Sequence, residues 1–216
     1  MLKSKKNIFW EALVITIAVF LAGLFLGMLV ETSNSIEISN LYLQSEISLT
    51  DATTSLRLSE DFDFDCEAIK QGSIALANQI YKEARLLEEY EESGKLTDSI
   101  DLLHKKYDLL RTILWISNQN SLKRCNNYDL IVYLYEYESE DTTKKATQNV
   151  WSKILLDIKS KNEDILLLPI AVDQNLTSLT LLINEHNITQ FPALVINNNK
   201  IFYNLKNVTI IKSLLN

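Results

Sequence analysis

Nineteen consecutive residues, Ala12–Val30 (ALVITIAVFLAGLFLGMLV), carry no charge and no strongly polar side chain beyond Thr16. At about 1.5 Å of rise per residue this run makes roughly 28 Å of helix, enough to cross the hydrocarbon core of a bilayer. The chain is therefore expected to be anchored in a membrane, with lipid as its first partner. Lys3, Lys5 and Lys6 precede the run, while Glu31, Glu37 and Glu46 follow it. The positive-inside rule then predicts a cytoplasmic tail over 1–7, a transmembrane anchor over 8–30, and everything beyond on the far side of the cell membrane. Phe9 and Trp10 stand where an interfacial aromatic belt is expected. The competing reading is a cleaved signal peptide. The run exceeds an ordinary signal h-region, and Met28-Leu29-Val30-Glu31 offers no small-x-small cleavage pattern, so an uncleaved signal anchor is preferred. Gly23 and Gly27 form a small-xxx-small step through which two such helices can make a homodimer; an ordinary lipid-facing surface is the plainer explanation.

Composition narrows the rest. With 47% hydrophobic and 23% charged residues and only four glycines, the remainder reads as a folded chain, not a low-complexity one. The net charge of −7, without a run of Lys or Arg, argues against nucleic acid as a partner. Two cysteines and two histidines exclude a disulfide-rich scaffold and an ordinary zinc site, and no metal or cofactor is expected. His104 and His186 stand apart from any ligand cluster and read as surface or boundary residues.

Residues 31–65 read as a stalk with a blurred period, and 66–125 as a helical hairpin. Ala77, Ile80, Ala84 and Leu87, then Ile100, Leu103, Tyr107, Leu110 and Leu114, recur at spacings of three and four. Gly94 stops the first helix, and Thr97 or Asp98 starts the second. Packing within the chain is preferred to an intermolecular coiled coil. Asp61, Asp63 and Asp65 alternate like the start of a calcium loop, but Cys66 and Gly72 stand where that loop needs Gly and Glu. An acidic turn with Asp65 capping a helix is the better reading.

From residue 126 the period changes. Asp129–Tyr137 and Ile165–Val172 read as buried strands, Thr142–Lys159 and Leu176–His186 as helices, Ala193–Ile196 and Lys200–Tyr203 as a hairpin around Asn197-Asn198-Asn199, and Val208–Leu215 as a last helix. The order βαβαββα demands a mixed α/β sheet with helices on both faces. This order, together with Ile188-Thr189-Gln190-Phe191-Pro192-Ala193-Leu194-Val195-Ile196, resembles the thioredoxin fold over 91 of 216 residues. The layout of anchor, helical pair and terminal domain resembles archaeal membrane-tethered thioredoxin-domain proteins. The resemblance implies a cis bond before Pro192, where the family's proline faces its redox motif.

The family's Cys-x-x-Cys belongs at the junction of first strand and first helix, which here reads Glu138-Ser139-Glu140-Asp141-Thr142. Without a thiol there, dithiol chemistry at that place is not expected, and the acids suit a helix cap. A non-catalytic domain that binds a protein or peptide is the first reading. By analogy with the family, its groove is lined by Phe191, Pro192, Ala193, Glu138, Glu140 and Asp141. Cys125 precedes the first strand, at the wrong edge of the sheet to face Pro192. In an antiparallel hairpin Cys66 returns beside it, so a structural disulfide is preferred, worth on the order of 4 kcal/mol in the chain-entropy model; free or intermolecular thiols are the alternative. A thiol-disulfide oxidoreductase working through Cys66 and Cys125 is the second reading, and a membrane homodimer assembly protein the third. Asn175, Asn187 and Asn207 each open an Asn-x-Thr sequon and are glycosylation candidates.

Overall fold

The computed structural model describes residues 5–62, 64–92, 98–125, 127–204 and 208–215. They divide into two compact units, 1–44 and 45–216. The first is helical throughout its described residues, as the amino-terminal part of α1 (Lys5–Asp61). Within it Phe9–Leu29 is long and apolar enough to cross a membrane, and none of that stretch is buried by protein.

The second unit begins inside α1. Ser45, Ser48 and Ala52, at spacings of three and four, are buried, and they turn one stripe of the helix onto α2 (Cys66–Glu92) and α3 (Asp98–Arg124). Gln79 Nε2 donates to Ser48 Oγ at 3.0 Å, and Lys106 pairs with Glu46. The helices α2 and α3 are antiparallel. Cys66 bonds to Cys125, and Ser73 Oγ donates to Asn118 Oδ1 at 3.1 Å, so each residue gained on one helix is matched by one lost on the other. Ile80, Ala84 and Leu87 meet the seam of Ile100, Leu103, Tyr107, Leu110 and Leu114, all of them buried. That periodic seam packs within the chain. Gly94 and Thr97, read from the sequence as the stop and start between the helices, lie outside the described residues. Asp65 Oδ2 accepts from the Glu67 backbone N–H at 3.2 Å, the cap expected of the acidic turn.

Four strands follow: β1 (Asp129–Tyr135), β2 (Ile165–Ala171), β3 (Ala193–Ile196) and β4 (Lys200–Phe202). Their order is β2-β1-β3-β4. β1 and β2 are parallel, with Asp129 opposite Ile165 and Tyr135 opposite Ala171; β3 is antiparallel to both β1 and β4. Pro169 is tolerated because β2 is an edge strand, where no second neighbour needs its missing N–H. The turn between β3 and β4 puts Asn197 and Asn198 at φ 48° and 58°, the left-handed region that asparagine accepts in tight hairpins.

Helix α4 (Thr142–Ser160) makes the crossover between the parallel strands β1 and β2 and lies on one face with α6 (Val208–Lys212). Ile131, Tyr133, Leu194 and Ile196 from the sheet bury Trp151, Leu155, Ile158 and Ile211 there. The alternate residues Leu130, Val132 and Leu134 are equally buried on the opposite face, on whose side α3 and α5 (Thr177–Glu185) pack against each other. The helical pair and the sheet thus share a core inside one compact unit. Two observed elements end short of the expected bounds: β1 stops at Tyr135 instead of Tyr137, two residues early, and α6 at Lys212 instead of Leu215, three residues early.

Candidate functional site

In an open α/β sheet, ligands are held beyond the carboxyl ends of the parallel strands. At that end β1 runs out at Tyr135 and the chain is held by a buried glutamine. Gln148 Oε1 accepts from the Glu136 N–H, and Gln148 Nε2 donates to the Glu136 carbonyl, both at 2.9 Å. Lys144 Nζ donates to the Glu136 carboxylate at 2.8 Å. The Glu138 N–H donates to Asp173 Oδ2 at 2.8 Å, fastening this loop to the one after β2. Asp141 then caps α4, accepting from the Thr143 and Lys144 backbone N–H groups at 2.8 and 3.1 Å. Two of the acids are therefore committed locally, Glu136 to Lys144 and Asp141 to the helix end. Glu138 and Glu140 remain exposed, whereas Ser139 between them is buried.

β3 starts at the same end, since Ala193 lies opposite Leu134 of β1. The Phe191–Pro192 bond that leads into it is cis. Phe191 is half-buried, and Pro192 and Ala193 are buried. The surface available here is therefore Phe191 together with the acidic loop, over a floor made by Pro192 and Ala193.

Beside this end stands a charged pair that sequence reasoning missed. Arg111 Nη1 donates to Asp108 Oδ1 at 3.0 Å on α3, and both residues are buried. The Asp108 carboxylate also accepts from the Ala171 N–H at the end of β2. Burial pushes the Asp108 carboxyl above its usual range, against the pull of Arg111, the Ala171 N–H and His104. Burial likewise raises the Tyr135 hydroxyl, with Asp108 adding to the effect. The His104 ring packs tilted against Tyr137, 4.9 Å between ring centroids and 39° between planes. The spacing of Asp108 and Arg111, three apart inside an otherwise apolar seam, is the signal that marks them.

The opposite end of the sheet is polar and tightly bonded. Asn197 Oδ1 accepts from the Leu130 N–H at 2.8 Å, and its Nδ2 donates to Asp129 at 2.7 Å. Trp115 Nε1 donates to Asn198 Oδ1 at 2.8 Å, and its ring stacks on His186 at 5.2 Å. Burial lowers the His186 pKa, favouring the neutral ring. Asn118 Oδ1 accepts from both Ser73 and Tyr128, and burial pushes the Tyr128 hydroxyl up to about 12. The Cys66–Cys125 disulfide, with Cα atoms 5.5 Å apart, lies near this end, because Cys125 precedes the start of β1. The seven residues of β1 alone put about 20 Å between its two ends.

Compared with known proteins, the chain matches no family model, no curated protein and no solved structure.

Among the described residues, no group of three or more His, Cys, Asp or Glu is placed to hold a metal ion. Asn175 and Asn187 are exposed, each at φ 53°, on either side of α5; Asn207 lies outside the described residues. A methyl group added at Gly23 or Gly27 would meet nothing within 4 Å, so no contact within the chain requires glycine there.

Proposed function

We propose that this chain is a single-pass membrane protein displaying a redox-inactive thioredoxin-like domain outside the cytoplasm, as a binding or scaffolding module for a protein or an extended peptide. The observation that carries the reading is the pairing of two features at one end of the sheet. The turn after β1 is closed by a carboxylate cap instead of a thiol, and β3 starts beside it, entered through Phe191 and Pro192. The strand order β2-β1-β3-β4 with β3 antiparallel supports the same comparison. Glu138, Glu140 and Phe191 form the contact surface, held from below by Pro192 and Ala193, and its charge favours a basic, extended partner.

Binding of the full chain to a peptide array tests this. Bound sequences should be rich in Lys and Arg, and Glu138→Lys with Glu140→Lys, or Phe191→Ala, should weaken them about tenfold, the effect of one lost contact of ordinary strength. Retention of every interaction in these variants would remove the reading.

The oxidoreductase alternative draws on Cys66, the half-exposed first residue of α2. Cys125 is only 1% exposed, which favours a structural bridge. Graded reduction followed by alkylation separates the two: a bridge opened by mild reductant supports catalysis, and a resistant one supports the binding module.

A further inference from the structure

Between the second half of α1, α2 and α3 lies an open cleft of about 340 Å³. Its walls include Leu58 from α1, Ile69, Gly72 and Leu76 from α2, and Leu114 from α3. We propose that this cleft receives an amphipathic helix of another protein, seated with a basic side chain against Asp51. The proposal is independent of the surface beside Pro192.

Gly72 is the first argument. It sits well inside α2, where glycine is about 1 kcal/mol less favourable than alanine. A Cβ built on it meets nothing within 4 Å, so neither crowding nor close packing inside the chain accounts for the residue. Glycine on an exposed helix face does allow a second backbone to approach closely. Ala68 and Leu76 line the cleft one turn before and one turn after it, which makes α2 a shallow floor.

The rim is the second argument. Leu58 and Phe64 are each 41% exposed and Phe62 is 59% exposed, with the two phenyl rings 6.1 Å apart. Leu58 and Phe64, which line the cleft and are held in water, suit a partner that covers them. Charge decides its sign. Among the described residues that line the cleft, Asp51 is the one that carries a charge, which favours a cation and repels the carboxylate of a fatty acid. Conformation decides its form. The walls are helices with their backbone groups already bonded internally, so they offer no strand edge to an extended peptide, whereas a helix arrives with its own amides satisfied.

The test uses the full chain in nanodiscs of phosphatidylcholine. The probe is a display library of helical peptides about 18 residues long, with leucine fixed at the i, i+3, i+4, i+7 spacing and all other positions free. Selected binders should be enriched in Lys and Arg and should lose about tenfold or more in affinity to Gly72→Leu and to Asp51→Lys. Gly72→Ala should raise the unfolding temperature of the free protein while weakening the same peptides. The proposal is overturned by binders indifferent to Gly72→Leu, or by no enrichment over empty nanodiscs. It is equally overturned if dodecanol fills the site in place of peptide, or if Gly72→Leu instead changes the self-association of the protein.

Discussion

Two charges buried three residues apart on one helix carry the largest local stakes in this molecule. Asp108 and Arg111 satisfy each other and the Ala171 N–H at the end of β2. Asp108→Ala leaves a guanidinium buried without its carboxylate and should cost about 3–5 kcal/mol of unfolding free energy, whereas replacing both residues by Leu and Met should return most of it. Chemical unfolding of the full chain in detergent measures both. The pH dependence has a definite sign. Burial raises the folded Asp108 pKa above the unfolded value of 3.8, so the fold binds this proton more tightly than the unfolded chain does. Its contribution is complete below that value and is lost as pH rises through the folded pKa. Thermal unfolding from acid to neutral pH should show that loss in the native protein and a flatter curve in Asp108→Asn; parallel curves would refute it. At the other end of the scale, Asp141→Ala removes the α4 cap and should cost about 1 kcal/mol, with Asp141→Ser nearly neutral. That cap was legible, because acids before a helix start have one common use. The buried pair was not, because an apolar period identifies Tyr107, Leu110 and Leu114 without saying what stands between them.

The strands and helices of residues 129–212 follow their periods closely because β1, β2 and β3 are largely buried on both faces and the helices on one, which is the condition that makes apolar spacing informative. The second half of α1 shows the opposite case. Its buried stripe is Ser45, Ser48 and Ala52, small and partly polar, so burial leaves no apolar signature and the segment reads as a stalk. The same packing explains how α1, read as separate from the hairpin, comes to wall a cleft with α2 and α3. The hairpin of β3 and β4 is held by asparagines whose role the turn reading anticipated only in part. Asn197 supplies a left-handed φ and also bonds both Leu130 and Asp129. Asn197→Ala should therefore cost about 2–3 kcal/mol, from strain and from an orphaned N–H together, while Asn197→Gly should relieve the strain and leave about 1 kcal/mol. Equal losses in the two variants, measured by unfolding, would show that the backbone conformation contributes nothing.

At the scale of the molecule, what the sequence made readable was the division between an apolar amino-terminal helix and a mixed α/β body, together with the bridge between Cys66 and Cys125. The burial of Pro192 and Ala193 was not readable, because it depends on how elements distant in sequence close over the end of the sheet. Removing the bridge by Cys66→Ser with Cys125→Ser should lower stability by on the order of 4 kcal/mol for a loop of 59 residues, seen as a fall in Tm that reductant reproduces in the native protein. The bridge also has a mechanical meaning. It joins the residue where the chain enters the helical pair to the residue where it leaves, so tension applied between the amino-terminal helix and the sheet passes through one covalent bond. The covalent path through the hairpin is bypassed, and about 200 Å of extensible chain is withheld from stretching until the bond is reduced.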